Sequence, residues 1–356
     1  MTRPMATPSG VLAGAGPGGP DGMGREIAQG PDAVAVTLAN VAAQESGITE
    51  LLARSGRITL IGTGASLAMS RIAAPLWRVA GNGDRELIVR QATELALGGL
   101  DGLTVAARDL VVAISQSGSS PETLAAAQVA RQAGASVLAL TAHLDSALGA
   151  TATLSVEVAS GKEAGAATKS AIASLAALLA VAATLPSDPE GIRAVGEHLA
   201  QTSVAAWRDA LDAAARLAEA RNVWMLGFGA AGGVAQAAML LWHEKVAHPA
   251  TAATPSEFRH GLIEAVRPED VVVLLGAFRG DSGEDRYTDR MRAELVALDI
   301  PVVELRPTAD HASIAALELL LRVQELARAA ALAGGTYRED FAILRHVVRP
   351  ADDLRG

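Results

Sequence analysis

A chain of 356 residues can hold two domains of ordinary size, each burying its own core, and its half-apolar composition is that of a globular protein. A formal charge of −9 and a pI near 5.3 argue against nucleic-acid and membrane partners, because no surplus of Lys and Arg exists to displace counterions. The absence of cysteine excludes disulfides, thiolate zinc sites and a cysteine nucleophile, and a reducing cytoplasm is the simplest home.

In chain order, residues 1–22 are rich in Gly, Pro and small side chains and read as a disordered tail. Residues 23–39 have helical character, with Pro31 breaking or restarting the helix, and a further helix runs through Leu52. Residues 57–61 form a strand, followed by Gly62-Thr63-Gly64-Ala65-Ser66 and a helix over 67–79. A short strand over 87–89 ends near Ala92-Thr93-Glu94.

Residues 111–124 carry the strongest local signal. Val111-Val112-Ala113-Ile114 is the apolar run of a strand covered on both faces. Ser120 stands at an N-cap position, Pro121 at the first helical position and Glu122 in the first turn. Between them, Ser115, Gln116, Ser117, Ser119 and Ser120 set hydroxyls and an amide at the positive end of a helix, where a phosphate finds donors. Taken alone, a capping Ser120 with solvated neighbouring serines accounts for the turn as well. No Gly-Lys-Ser/Thr follows, so this is not a nucleotide P-loop.

Residues 137–140 form the next strand, and 151–158 close the unit. The small-residue loop 161–170 leads into a core helix over 171–185, too short and too interrupted for a membrane span. Pro186, Asp188 and Pro189 mark a connection, and helices over 191–220 lead onward. The second half then echoes the first: Arg57, Asp109 and Val137 open strands whose counterparts open at Arg221, Asp270 and Val302, a near-constant offset of roughly 160 residues that suggests duplication. The turn after the strand from Val271 lacks the hydroxyls of the first copy.

Two other motifs carry less. Gly227-Phe228-Gly229-Ala230-Ala231-Gly232 fits a dinucleotide turn, but residues 246–256 do not read as the following strand that would bring an acid to the ribose, so helix packing explains the glycines. His243 and His248 are five residues apart, about 140° around a helix at roughly 100° per residue, so one metal cannot take both from one face.

Together these segments resemble the sugar isomerase (SIS) family, most closely the tandem isomerase part of glucosamine-6-phosphate synthase, with amino-sugar-phosphate deaminases and fructosamine-6-phosphate deglycases sharing the architecture. The anchors are residues 23–31, Gly64-Ala65-Ser66, Ala92-Thr93-Glu94, Ser115-Gln116-Ser117-Gly118, Ala167-Thr168-Lys169 and Ser256-Glu257-Phe258-Arg259-His260-Gly261. The resemblance implies an α/β fold of two tandem doubly wound parallel-sheet domains over 23–190 and 191–335, with a C-terminal tail, 336–356, near the active site. It implies a phosphate site at Ser66, Ser115, Gln116, Ser117 and Ser120, with Gly64, Ala65, Ala167 and Thr168 also at the substrate. Glu244 becomes the proton-transfer base and His260 the ring-opening histidine, donated by the partner subunit of a homodimer.

The chain also departs from that pattern. The synthase's cysteine-dependent glutaminase has no counterpart, so glutamine-dependent synthesis is not expected. The family's Schiff-base lysine falls at about His346, no lysine follows Lys245, and a second lysine before the base is replaced by Leu241. The loop 163–169 looks one residue short. The expectation is a cofactor-free, metal-free aldose–ketose isomerase or amino-sugar-phosphate deaminase acting on a hexose or hexosamine 6-phosphate by 1,2-proton transfer. The alternatives are a fructosamine-6-phosphate deglycase and a non-catalytic sugar-phosphate sensor.

Overall fold

The computed structural model describes residues 18–81, 85–99, 102–276 and 283–343. The chain divides into two compact units that alternate along the sequence. Asp32–Lys162, Lys169–Gly196 and Ala342–Gly356 belong to one, and Met1–Pro31, Glu163–Thr168 and Glu197–Phe341 to the other. Two contiguous domains were expected over 23–190 and 191–335. The difference has a hydrogen-bonding cause: the Glu26 carboxylate accepts from Ala164 N and Thr168 Oγ1, Gln324 Nε2 donates to Thr168 O, and Gly22 N donates to Glu339 Oε1. Residues 18–22 are accordingly ordered, and Asp21 accepts from Gly24 N and from Arg328.

The first unit holds five parallel strands in the order β2-β1-β3-β4-β5: β1 (Arg57–Gly62), β2 (Glu86–Gln91), β3 (Asp109–Ile114), β4 (Ser136–Thr141) and β5 (Leu154–Glu157). All six residues of β3 are buried, as a central parallel strand covered on both faces requires. On one face, Val111, Ala113, Val137 and Ala139 pack on Ala126, Ala127 and Ala130 of the helix Pro121–Gln132. Elsewhere in this unit, Trp77 of the helix Gly64–Val79 donates its indole N–H to Leu178 O of the helix Lys169–Val181, at 2.8 Å. The latter helix was expected over 171–185; it stops at Val181, and Ala183 turns into the left-handed region at φ 55°.

The second unit holds four parallel strands in the order β7-β6-β8-β9: β6 (Val223–Leu226), β7 (Ala250–Ala253), β8 (Val271–Leu275) and β9 (Val302–Leu305). In both sheets the order is second, first, third, fourth, that of a flavodoxin-like doubly wound sheet.

Three local expectations are corrected. The helix Gly22–Ala43 runs through Pro31 without a break. Apolar side chains on both sides of the proline are buried, Met23 and Ile27 before it and Val34 and Leu38 after it, and that burial outweighs the roughly 3 kcal/mol of an interior proline. Residues 250–253 are a strand, against the reading of 246–256 as no strand at all; their small, weak strand formers are held in register by parallel pairing with β6. The helices expected over 191–220 are one helix, Pro189–Glu219. Among the described residues no helix is long and apolar enough to cross a membrane.

Candidate active site

In a doubly wound sheet the strand order reverses beside the first strand, and ligands bind at the carboxyl ends of the two strands flanking that point. In the first unit those strands are β1 and β3. The first turn of the helix Gly64–Val79 after β1 carries Gly64, Ala65 and Ser66, and the loop after β3 delivers residues 115–120. The structure therefore brings all seven of these predicted residues to one sheet edge, with Thr63 Oγ1 3.5 Å from Ser120 Oγ.

The turn after β3 is fixed from behind. Ser115, buried, donates its N–H to Leu140 O, and Gln116 O accepts from Ala142 N and Thr141 Oγ1. Gly118, at φ +61°, sits where a Cβ would lie 2.0 Å from Ser146 Oγ, so the close approach of the neighbouring loop requires glycine. Ser117 Oγ accepts from Ser119 N and Ser119 Oγ on the outer side. Ser120 does occupy the N-cap, but its side chain makes no capping bond; it donates to Glu122 Oε2 at 3.0 Å. The capping explanation of this serine therefore fails, and its hydroxyl stays at the open end of a 12-residue helix.

In the second unit the helix Gly229–Leu241 passes into a π-turn, Trp242–Val246, closed by Ala247 N donating to Trp242 O and by Ala247 in the left-handed region at φ 59°. The extra residue lets Trp242, Lys245 and Val246 all turn inward while Glu244 stays half-buried and His243 exposed. The regular helical spacing used for His243 and His248 is thus interrupted here by the π-turn. Burial pushes the Glu244 carboxyl up to about 7, against the opposing pull of the Lys245 ammonium. His243 Nε2 accepts from Ala250 N at 3.1 Å, which ties the turn to the start of β7.

Thr168 is fully buried, with its hydroxyl bonded to Glu26 Oε2 and Glu163 Oε1 and its N–H to Glu163 Oε1; Ala167 beside it is half-buried. Thr168 thus shapes its loop from within. His260 follows the short helix Pro255–Arg259, whose start is a capping box between Thr254 and Glu257, and its imidazole is exposed. Glu257, the first acid after β7, is spent on that box. His346 lies outside the described residues. Among the described residues no group of three His, Cys, Asp or Glu side chains is placed to hold a metal ion.

Residues 51–184, which include the whole hydroxyl-rich edge, match the SIS domain family. The chain carries a SIS domain. N-acetylmuramic acid 6-phosphate etherase of Streptomyces avermitilis is 32% identical over 158 residues, 40% of this chain and 51% of that protein. Glutamine–fructose-6-phosphate aminotransferase (isomerizing) of Aeropyrum pernix is 29% identical over 267 residues, 70% of this chain and 42% of that protein. The chain thus spans about half the length, or less, of these curated relatives. Among solved structures, the C-terminal domain of glucosamine-fructose-6-phosphate aminotransferase from Francisella tularensis shares the fold at a TM-score of 0.76 and 20% identity, covering 91% of this chain and 99% of that one.

Within the SIS match fall Ser66, the residues 115–120, Ala167 and Thr168; Glu244 and His260 lie beyond it. Sequence reading missed Glu26 and Lys245, which organise the surroundings of Thr168 and Glu244. One signal was available: lysine occurs only at 162, 169 and 245 in a chain with 30 Lys and Arg together.

Proposed function

We propose that this chain is a phosphosugar enzyme that binds a hexose or hexosamine 6-phosphate and moves a proton between C1 and C2. The observation that carries the reading is Glu244, a half-buried carboxylate on a π-turn whose pKa is pushed up to about 7, where a base is both ionised and strong enough to take a carbon-bound proton. The switch-point edge, with Ser115, Gln116, Ser117 and Ser120 ahead of one helix N-terminus and Ser66 in the first turn of another, is suited to the phosphate.

In the open-chain aldose, the Glu244 carboxylate takes the proton from C2; the C–H electrons form the C1–C2 double bond and the C1 carbonyl oxygen is protonated, giving an enediol. Return of the proton to C1, with loss of the C2 hydroxyl proton, leaves the ketose. His260, contributed by a partner subunit, assists ring opening in this reading. With no lysine after Lys245, the reaction proceeds without an enzyme imine, which suits an isomerase or an amino-sugar substrate that supplies its own nitrogen. Loss of an amine or of an ether substituent next to the enolisable carbon begins with the same proton abstraction, and the likeness to an etherase over part of the chain keeps that outcome in view.

The test is NMR of the purified protein in D2O with a panel of hexose, hexosamine, fructosamine and N-acetylmuramic acid 6-phosphates. Deuterium entering at C1 or C2, lost by at least about 100-fold in Glu244→Gln, is the expected result for a general base. Released ammonia, amine or lactate assigns the elimination branch. Tight binding with no exchange on any ligand would replace the enzyme with a sensor.

A further inference from the structure

Lys245 adjoins Glu244 on the π-turn and is 2% exposed. Its ammonium donates to Arg338 O at 2.8 Å and Glu339 O at 3.0 Å, and stands over the rings of Tyr337 and Phe341, 5.4 and 6.0 Å from their centroids. The acids facing it come from three elements: Glu244 on its own turn, Glu339 and Asp340 on the C-terminal segment, and Glu26 on the helix Gly22–Ala43. Gly165 closes the remaining side, where a Cβ would lie 2.7 Å from Nζ and 2.4 Å from Glu339 O.

Such a site fits a compact ammonium and resists the planar fork of arginine. Two carbonyls and two ring faces are also a costly arrangement for a surface-type cation, since burial must be offset by the bonds and the carboxylates. The C-terminal segment is secured independently of this charge as well: the Tyr337 hydroxyl accepts from Met23 N and donates to Glu339 Oε2, and Glu339 Oε1 accepts from Gly22 N.

We propose that Lys245 is a positioning residue for Glu244: it clasps residues 337–341 to the π-turn and holds one buried positive charge beside the carboxylate. The clasp makes the segment part of the wall that keeps water from Glu244, while the charge restrains how far burial raises the carboxyl. The proposal deepens the reading of Glu244 as the base and rests on it for its consequence in catalysis.

Its test does not need turnover. The Glu244 carboxyl is followed by 13C NMR in glutamate-labelled full-length protein, assigned with Glu244→Gln, in wild type, Lys245→Met and Lys245→Arg. Backbone amide exchange of residues 337–341 is measured on the same samples. In Lys245→Met the midpoint moves up by about one pH unit, as loss of a neighbouring opposite charge demands, and exchange of the segment rises by about tenfold. Lys245→Arg keeps the charge but not the fit, so its midpoint stays within a few tenths of a unit while segment exchange still rises.

Gly165→Ala, which crowds the clasp without removing the lysine, raises segment exchange like the arginine variant; it carries the test where Lys245→Met does not fold. A Glu244 titration and segment exchange that both coincide with wild type in the folded variants overturn the proposal. If Glu244→Gln leaves deuterium exchange on the sugar intact, the assignment of the base fails, and the titration still decides the clasp. With a substrate in hand, the acidic limb of kcat/KM follows the carboxyl midpoint in each variant, a shift that a purely structural lysine would not produce.

Discussion

Glu244 shows how a carboxyl raised by burial costs stability. Its folded pKa, about 7, is above the ordinary value of 4.5, so below pH 4.5 both folded and unfolded states hold the proton and no penalty exists. As pH rises from there to about 7, the unfolded chain ionises first and the native state loses stability. Glu244→Gln removes that loss, so its melting temperature should exceed that of wild type by more at pH 8 than at pH 5. Glu325, raised to about 7 mainly by burial, adds a similar trend to both proteins and cancels in the difference. A thermal unfolding series at the two pH values checks this, and a pH-independent difference would mean that Glu244 ionises normally. Ser120 makes the complementary point: a good capping residue at a cap position makes no capping bond, which only the hydroxyl's direction toward Glu122 reveals.

At the scale of elements, the two sheets share a device at the amino ends of their central strands. Arg57, opening β1, pairs with Asp109, opening β3, and Arg221, just before β6, pairs with Asp270, just before β8, at 2.7 Å. Each Asp also accepts a backbone N–H three residues upstream, Ala106 N for Asp109 and Arg267 N for Asp270. Asp270 is fully buried and takes the Trp224 indole N–H as well. Removing it strands these donors, so Asp270→Ala should cost about 3 kcal/mol in denaturant unfolding. Glu50→Ala, which breaks the exposed i,i+4 pair with Arg54, should cost less than about 0.5 kcal/mol. Equal costs would show that the bonds to buried Asp270 are not what fixes β8 beside β6.

For the whole molecule, the proposal of a shared site has a direct test. If His260 reaches the substrate of a partner subunit, Glu244→Gln and His260→Ala are each inactive alone, and a mixture refolded together regains up to about a quarter of the wild-type sites by random pairing. Sedimentation of the wild type as a monomer, or no recovery in co-refolded mixtures that do form dimers, would leave His260 without the role assigned to it.

Much of the fold was legible because its signals are local. The apolar run of residues 111–114, Pro121 at a helix start and the matched Arg and Asp positions of the two halves rest on burial, capping and charge within a few residues, and each survives unchanged in the structure. The identity of the hydroxyls along the candidate phosphate edge was likewise written in the chain. Their convergence was decided by the strand order, which sets β1 beside β3. What local signals could not determine are the features held from afar: the strand Ala250–Ala253, the helix carried through Pro31, the π-turn under Glu244, and the grip of Lys245 on carbonyls 93 and 94 residues away. Propensity is a few tenths of a kcal/mol for most residues and about 3 for an interior proline, whereas each buried side chain or hydrogen-bonded ammonium contributes on the order of 1–3 kcal/mol, so where several such contacts oppose a local preference the tertiary contacts prevail.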